Sequence, residues 1–238
     1  MKFLFVLAHP EQTSFTTSLA WHGMSVLEQA GHSVDLSDLY AMGFDPVSDR
    51  RNFNSVADPL RYDQQAEERH ASANGGFSAA LQSEIDRLEA CDTLILQFPI
   101  WWLGMPAIMK GWIDRVFAIG VTYGGGRWFD QGMMRGKRAM LAVTIGGTER
   151  AYSQDGIYGP AADVLRSINH GILAFCGFQV VDPFLAFAPA RKDDRQRRQI
   201  FDAYAARLLG FESAPQLPML RSDDYENFVR KQSAEAPA

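Results

Sequence analysis

The stretch "TLILQFPIWWLGMPAIMKGW", residues 93–112, decides the fold class of this chain. Residues 93–98 are a short, largely apolar run that Pro99 ends, which is typical of a strand buried on both faces of a parallel sheet. Pro106 then stands where a helix can begin, because the first turn of a helix uses no N–H from that position. A buried strand followed at once by a helix is one unit of an α/β domain.

The same alternation runs along the chain. Buried strands are predicted at residues 2–8, 32–39, 93–98, 138–145 and 177–184, and helices at residues 14–30, 78–90, 106–119, 161–175 and 194–209. Five such strands alternating with helices indicate an α/β fold, a three-layer doubly wound parallel sheet. The flavodoxin-like strand order 2-1-3-4-5 is the natural prediction, and it places a ligand at the carboxyl ends of strands 1, 3 and 4.

The domain organisation follows from length and composition. The chain has 238 residues, enough for one large α/β domain. We predict a catalytic domain over residues 1–212, with a long polar insertion at about 41–77 that holds a short helix at Gln64–Ala71. Loops of this length are usually functional or mobile. Residues 213–238 are predicted to form a weakly structured C-terminal tail.

Charge and composition exclude several function classes. The net charge is −5, and two aspartates interrupt the one basic run, residues 191–198, so neither nucleic acid nor an anionic membrane is expected as a partner. The N-terminal apolar run is too short for a signal peptide or a membrane span, and a cytoplasmic location follows by default. There are two cysteines and no CxxC motif. Free core thiols are expected, and a lone disulfide stays open.

The loop after the first strand reads "AHPEQTSF", residues 8–15, and carries no glycine-rich phosphate motif. It offers His9, Gln12, Thr13 and Ser14 just before a helix, with Thr16 in the first turn. Backbone N–H groups at a helix N-terminus favour an anion, and hydroxyl groups can add donors. The alternative is a simple N-cap by Thr13 or Ser14 that needs no ligand.

Two more predicted strands end in unusual residues. Trp101 and Trp102 follow the third strand and suit a wall beside a flat aromatic ligand, or else they are core or interface residues. Gly146 and Gly147 follow the fourth strand and let the backbone approach a flat group, or else they form a simple turn. All three loops fall where the fold predicts its ligand.

Five segments resemble the NAD(P)H:quinone oxidoreductase (DT-diaphorase-like) family of flavodoxin-like flavoproteins. They are "LAHPEQTSF" (7–15), "DLYAMGFDPVSDR" (38–50), "QFPIWWLGMPAIMKGWIDRVF" (97–117), "IGGTERAYSQDGIYG" (145–159) and "GILAFCGFQV" (171–180). The resemblance covers roughly residues 1–210. It implies non-covalent FAD, with FMN less favoured, NAD(P)H as co-substrate, and a homodimer with shared active sites that reduces a small-molecule quinone by two electrons.

The resemblance also implies roles for individual residues. The FAD pyrophosphate and ribityl region would be held by His9, Ser14, Phe15 and Thr16. The isoalloxazine ring would be lined by Pro99, Ile100, Trp101, Trp102 and Leu103, and its pyrimidine edge would face Thr144, Ile145, Gly146 and Gly147. Tyr152 and Tyr158 are the implied catalytic pair. Tyr123 and Phe175 would contact substrate from the other subunit.

The chain departs from the family pattern in three places. Tyr158 stands where mammalian members have a histidine, and Gly125 replaces a substrate-facing tyrosine. Ala174 replaces a histidine near the metal site of one relative, so no metal is predicted beside His170 and Cys176. A phenol titrates near pH ~10 and cannot carry the positive charge of a histidine, so proton assistance should be weaker. Alternatively, Tyr158 only packs in its loop and Tyr152 acts alone.

The implied mechanism is ping-pong hydride transfer through flavin N5, with NAD(P)H and quinone using the same slot in turn. Reduction of azo or nitro compounds, and an FMN-dependent modulator-type quinone reductase, are alternatives with the same chemistry. A regulatory flavoprotein subunit of a potassium-efflux-type transporter is an alternative of another class. The sequence leaves the choice between NADH and NADPH open.

Overall fold

A computed structural model describes residues 1–232 of the chain. Its centre is a five-stranded parallel sheet in the order 2-1-3-4-5, which confirms the predicted fold class and strand order. The strands are β1 (Lys2–Leu7), β2 (Ser33–Asp38), β3 (Thr93–Pro99), β4 (Arg138–Ile145) and β5 (Gln179–Phe187). β3 is buried along its whole length, as its apolar sequence predicts.

Helices cover both faces of the sheet. They are α1 (Phe15–Gln29), α2 (Gln64–Asn74), α3 (Ala79–Ala90), α4 (Ala107–Val116), α5 (Ala161–Val164), α6 (Arg166–Ile168) and α7 (Asp194–Leu209). Alternate residues of β1 enter different cores, since Leu4 and Val6 pack towards α3 and α4 while Phe3 and Phe5 pack towards α1 and α7. Two apolar cores around one sheet make the three layers.

Local signals set the ends of the long helices. The Ser14 side chain caps α1 by accepting a hydrogen bond from the Thr17 N–H, as one of the two predicted N-caps. Gly31 ends the same helix with φ +83°, a conformation that favours glycine. Asp193 and Gln196 form a reciprocal capping box at the start of α7. These ends agree with the sequence prediction within one residue.

Three predicted elements differ in the structure. α4 ends at Val116 rather than Ile119, because the Ile119 N–H donates to the Glu68 carboxylate (2.8 Å) instead of continuing the helix. The predicted helix over 161–175 is broken: α5 and α6 are short, and a π-helix spans Asn169–Ala174. β5 begins two residues and ends three residues later than predicted, since an edge strand tolerates Pro183 through a shift of register.

The insertion at 41–77 is held firmly to the domain. Arg115 of α4 is 7% exposed. It donates to Asn52 Oδ1 (2.7 Å) and to the Asp45 carbonyl, and its guanidinium lies over the Phe44 ring. The carboxylate of buried Glu67 accepts from the Ala57 N–H (2.7 Å). The insertion is therefore an ordered layer, and its helix α2 runs three residues beyond the predicted end.

The C-terminal segment has more structure than the sequence indicates. Asp182 N–H donates to the Pro215 carbonyl and Leu217 N–H donates to the Val180 carbonyl, so residues 215–217 cover part of the edge of β5. A small antiparallel pair, β6 (Tyr225–Glu226) and β7 (Val229–Arg230), follows. Residues 233–238 of the predicted tail lie outside the described residues. The division into a catalytic domain and a tail stays a prediction.

The cysteines are free and buried, as expected. Burial raises the pKa of the Cys91 thiol to about 11 and that of Cys176 to about 12. Within residues 1–232, no helix combines the length and the apolar character that a membrane crossing requires.

The insertion gives a test of what holds this layer in place. Arg115→Met should lower the free energy of unfolding by about 2–3 kcal/mol, because buried acceptors lose a charged donor. Arg51→Met is the matched control: Arg51 pairs with Asp45 and Asp49 at the surface and is 62% exposed. An exposed pair contributes roughly 0–1 kcal/mol. Urea unfolding of both variants measures the difference, and equal losses would contradict the buried role of Arg115.

Candidate active site

A cavity of about 320 Å³ lies at the carboxyl ends of β1, β3 and β4; we call it the strand-end cavity. Ten predicted cofactor-binding residues line it together: His9, Ser14, Phe15, Thr16, Pro99, Ile100, Trp101, Thr144, Ile145 and Gly146. They come from three loops far apart in sequence. The parallel sheet brings these loops to one edge, where such folds bind ligands.

The N-terminus of α1 forms one wall of this cavity. The N–H groups of Phe15 and Thr16 have no acceptor within residues 1–232, as expected for the first turn of a helix. The Glu11 carboxylate accepts from the N–H and the hydroxyl of Thr13, and these hydrogen bonds lower the pKa of Glu11. His9 is tied to the same loop, with its Nδ1 3.0 Å from the Glu11 nitrogen. The two unpartnered N–H groups can hold an anion.

The floor of the cavity contains a buried pair of hydroxyl groups. Thr16 Oγ1 lies 2.6 Å from Thr144 Oγ1, and this hydrogen bond joins α1 to the end of β4. Thr144 is followed by Ile145, Gly146 and Gly147. The N–H groups of Gly146 and Gly147 donate to no residue in 1–232. This edge therefore offers several hydrogen-bond donors to a bound group.

The two tryptophans occupy a tight turn at the end of β3. Trp101 and Gly104 exchange two backbone hydrogen bonds of 2.9 and 3.0 Å. Trp102 and Leu103 between them have φ of +50° and +60°, which is strained for residues other than glycine. Trp101 lines the strand-end cavity, but Trp102 and Leu103 do not and are exposed. Strain of this kind concentrates at functional sites.

Tyr152 and Tyr158 lie beside this edge and against each other. Their ring centroids are 4.9 Å apart, and Tyr152 is buried while Tyr158 is 46% exposed. A Cβ atom on Gly147 would meet the Tyr152 ring at 3.0 Å, which places this phenol next to the double glycine. Burial raises the pKa of Tyr152, and Tyr158 adds to the effect. Tyr152 is therefore a neutral hydrogen-bond donor at physiological pH.

Sequence reasoning missed the contribution of the chain after β5. Pro189 and Ala190 line the strand-end cavity, and Ala188 before them has φ +48°. Both also line an adjoining cavity of about 370 Å³, the α7 cavity, with Thr13, Phe15, Ser18, Arg197 and Phe201. Arg197 donates to the Pro189 carbonyl (3.1 Å) and lies 3.3 Å from Asp194. The sequence predicted the helix that contains most of the basic run, residues 191–198, but not the cavity beside it.

Tyr123 and Phe175, the predicted substrate residues, lie elsewhere in the chain. Their rings are 6.1 Å apart in a cavity of about 220 Å³ between α2, α4 and the π-helix, the α4 cavity. It shares no lining residue with the strand-end cavity. Its other lining residues are Gln64, Glu68, Ile113, Asp114, Phe117, Gly171, Ile172 and Cys176. Within one chain, the predicted cofactor-binding residues and the predicted substrate-binding residues therefore line two separate cavities.

Glu68 was not predicted and is the main polar group of the α4 cavity. It is 3% exposed, and its carboxylate accepts from Gln64 Nε2 and from the Ile119 N–H, both at 2.8 Å. Burial raises the pKa of Glu68. Glu68 follows Glu67 in a polar stretch of α2 that is typical of a solvent-exposed helix face, so nothing in the sequence indicated that Glu68 is buried. Residues 1–232 contain no cluster of three or more His, Cys, Asp or Glu side chains suited to a metal ion.

Comparisons with known proteins agree with the fold. Residues 1–208 match the family described as having a flavodoxin-like fold. The guinea pig (Cavia porcellus) NAD(P)H dehydrogenase [quinone] 1 is 38% identical, over 86% of this chain and 75% of its own length. Human ribosyldihydronicotinamide dehydrogenase [quinone] is 35% identical, over 87% of this chain and 90% of its own length.

A solved structure is similar as well. A Klebsiella pneumoniae protein assigned as a quinone reductase superposes with a TM-score of 0.90 at 39% identity, covering 94% of this chain and 91% of its own. The fold and strand-end site define a flavodoxin-like α/β protein. The chain belongs to the NAD(P)H:quinone oxidoreductase family within that class, as the sequence resemblance predicted.

Proposed function

We propose that the protein is an FAD-dependent enzyme that reduces quinones by two electrons with NAD(P)H. The observation that carries the proposal is the convergence of three predicted cofactor loops on one strand-end cavity. The family supports the same activity, since its members above include NAD(P)H dehydrogenases of quinones. A ping-pong sequence fits because the chain has no separate dinucleotide motif, so NAD(P)H and quinone use one slot in turn.

The residues of the strand-end cavity fit a flavin. Unpartnered N–H groups of Gly146 and Gly147 suit the polar edge of a flat heteroaromatic ring, and Ile100 and Trp101 supply an apolar wall. The free N–H groups of Phe15 and Thr16 suit a phosphate at the start of α1. When bound there, a flavin would supply the two-electron hydride chemistry between NAD(P)H and the quinone.

The α7 cavity favours FAD over FMN. It shares Phe15, Pro189 and Ala190 with the strand-end cavity and continues past the start of α1. Arg197 lies in its wall and brings a guanidinium group there, with exposed Asp194 as its ion-pair partner at 3.3 Å. FMN ends at its single phosphate, whereas FAD has a second phosphate and an adenosine that need room of this kind. The extra cavity and its guanidinium therefore support the larger cofactor.

The chain's own donors explain how charge on the reacting groups is stabilised. Donors fixed in advance at the place where negative charge develops lower the barrier without reorganisation. Gly146 lines the cavity, and the next residue, Gly147, lies against the Tyr152 ring, so these donors follow one another along the end of β4. Tyr158 is exposed beside Tyr152 and can donate to a quinone oxygen or pass a proton to its neighbour.

Tyr158 gives a test of this assignment. Tyr158→Phe should slow quinone reduction about tenfold, the worth of one neutral hydrogen bond, and leave flavin reduction by NAD(P)H unchanged. The loss should appear at every pH tested, because the substitution removes a hydrogen-bond donor. Tyr158→His should add a step near pH ~6.5 with faster reduction on the acid side.

Stopped-flow measurement of each half-reaction provides these rates. Tyr225→Phe is the matched control, since Tyr225 packs against Trp128 and lines neither cavity. Unchanged quinone reduction in Tyr158→Phe at every pH would mean that Tyr158 only packs in its loop and Tyr152 acts alone.

The first experiment on the wild-type protein is spectroscopic. The purified protein should be yellow, release FAD on denaturation, lose its visible absorbance with NADPH under anaerobic conditions, and recover it with menadione. Recovery tests the acceptor class, and bleaching tests the reductive half-reaction. Repeating it with NADH measures the nicotinamide preference.

Other outcomes separate the alternatives. A protein that takes up neither FAD nor FMN would contradict the enzyme proposal and favour the regulatory reading, in which a transporter partner is retained without much turnover. Bleaching followed by recovery with azo or nitro compounds but not with menadione would show that the acceptors are azo or nitro compounds rather than quinones. Release of FMN alone would contradict the assignment of the α7 cavity.

We infer that the working form is a homodimer with shared sites. Tyr123 and Phe175 lie in the α4 cavity, which shares no lining residue with the strand-end cavity. The α4 cavity would face the strand-end cavity of a second copy across a two-fold interface. Exposed apolar residues such as Trp102 and Leu103 at the rim support contact with a partner.

Two glycines allow a complementation test of the dimer. A Cβ atom on Gly146 or on Gly171 would meet no atom within 4 Å, so Gly146→Phe should fill the strand-end cavity and Gly171→Phe the α4 cavity without unfolding the chain. Each variant alone should be inactive. After co-expression, hybrid dimers with one intact shared site should restore roughly a quarter of wild-type activity. No recovery would mean that each chain completes its own site.

A cytoplasmic location remains part of the proposal. Both cysteines are free and buried, as is usual for proteins of a reducing compartment.

A further inference from the structure

A buried polar chain connects α7 to the floor of the strand-end cavity. Tyr204 of α7 and Gln97 of β3 are completely buried, and Thr16 and Thr144 are 3% and 6% exposed. They lie among apolar side chains of the α1 and α7 layer. Burying polar groups among apolar side chains costs free energy unless each group has a hydrogen-bond partner, so four such residues in a row call for a structural explanation.

The direction of each hydrogen bond is fixed by chemistry. The Thr16 carbonyl oxygen can only accept, so the Gln97 amide turns its Nε2 towards it (3.4 Å). The Gln97 Oε1 atom then faces Tyr204, whose hydroxyl donates to it at 2.8 Å. Burial raises the pKa of Tyr204, so the phenol remains a donor. The Thr16 carbonyl thereby sets which way the Gln97 amide points, and Tyr204 fixes that amide by donating to its Oε1 atom, so Gln97 links α7 to the first turn of α1.

A single hydrogen bond joins the two threonine hydroxyl groups at the cavity end of this polar network. Thr16 Oγ1 and Thr144 Oγ1 are 2.6 Å apart, so one hydroxyl donates and the other accepts. The accepting hydroxyl keeps its own hydrogen, and within residues 1–232 neither hydroxyl has a further partner. Both residues line the strand-end cavity. The pair thus offers one O–H donor to whatever occupies the cavity.

We propose that Tyr204 and Gln97 are positioning residues that hold Thr16 against Thr144, so that this hydroxyl pair presents one donor to the flavin. The inference rests on the proposed function, because it concerns flavin binding in the strand-end cavity. Among residues 1–232, neither Tyr204 nor Gln97 belongs to the lining of that cavity, so both are proposed to act on the flavin indirectly, through Thr16.

The test is the Kd of FAD for the apoprotein, followed by protein or flavin fluorescence. Tyr204→Phe should raise this Kd about tenfold, as expected for the loss of one donor's alignment. Gln97→Leu should have a similar effect, and the double variant should be no worse than either single variant, because both act through one link. Thr16→Val should reproduce the increase, whereas Thr16→Ser should keep wild-type binding.

Thr93→Val is the matched control. Thr93 is also completely buried on β3, at its opposite end, and its hydroxyl has no partner within residues 1–232. Its removal should leave the FAD Kd unchanged, while thermal unfolding of each apoprotein reports stability separately. If Tyr204→Phe lowers the unfolding temperature but keeps the wild-type Kd, its role is structural and the inference fails. A wild-type protein that binds no flavin would instead contradict the proposed function.

Discussion

The arrangement of strands around β1 is the constraint on which the rest of the molecule depends. β2 lies on one side of β1 and β3 on the other, so the chain turns in opposite directions after these neighbouring strands. Right-handed crossovers then send α1 to one face of the sheet and α4 to the other. The loops that follow β1 and β3 diverge, and the strand-end cavity lies in the crevice between them.

Hydrogen-bond donors without partners give this crevice its chemistry. Within the described part of the chain, the Phe15 and Thr16 N–H groups in the first turn of α1 have no acceptor, because a helix has none before its start. Gly146 and Gly147 leave two more at the end of β4. Elsewhere the buried polar groups are mostly paired, as with Arg115, Glu67 and Gln97. The concentration of free donors at one edge is what a bound polar heterocycle and phosphate would satisfy.

Much of the candidate site was readable because its residues immediately follow apolar strands. Thr144–Gly147 and Pro99–Trp101 come directly after β4 and β3, so the strand prediction alone placed them at one edge. Pro189 and Ala190 were missed because β5 runs three residues beyond its predicted end, and Arg197 because its helix was predicted without the cavity beside it. Glu68 and Tyr204 were missed for another reason: their burial depends on partners more than fifty positions away, which no local pattern reveals.

The sheet, its strand order and the family could be predicted from local features of the chain: apolar periodicity, helix caps and five matching segments. Three features follow from tertiary contacts instead: Arg115 fixes the insertion, the helix before β5 contains a π-helical turn, and Tyr123 and Phe175 lie apart from the strand-end cavity. These outcomes depend on side chains that meet across elements. Such contacts form only after the sheet has folded, and their energies override local preference.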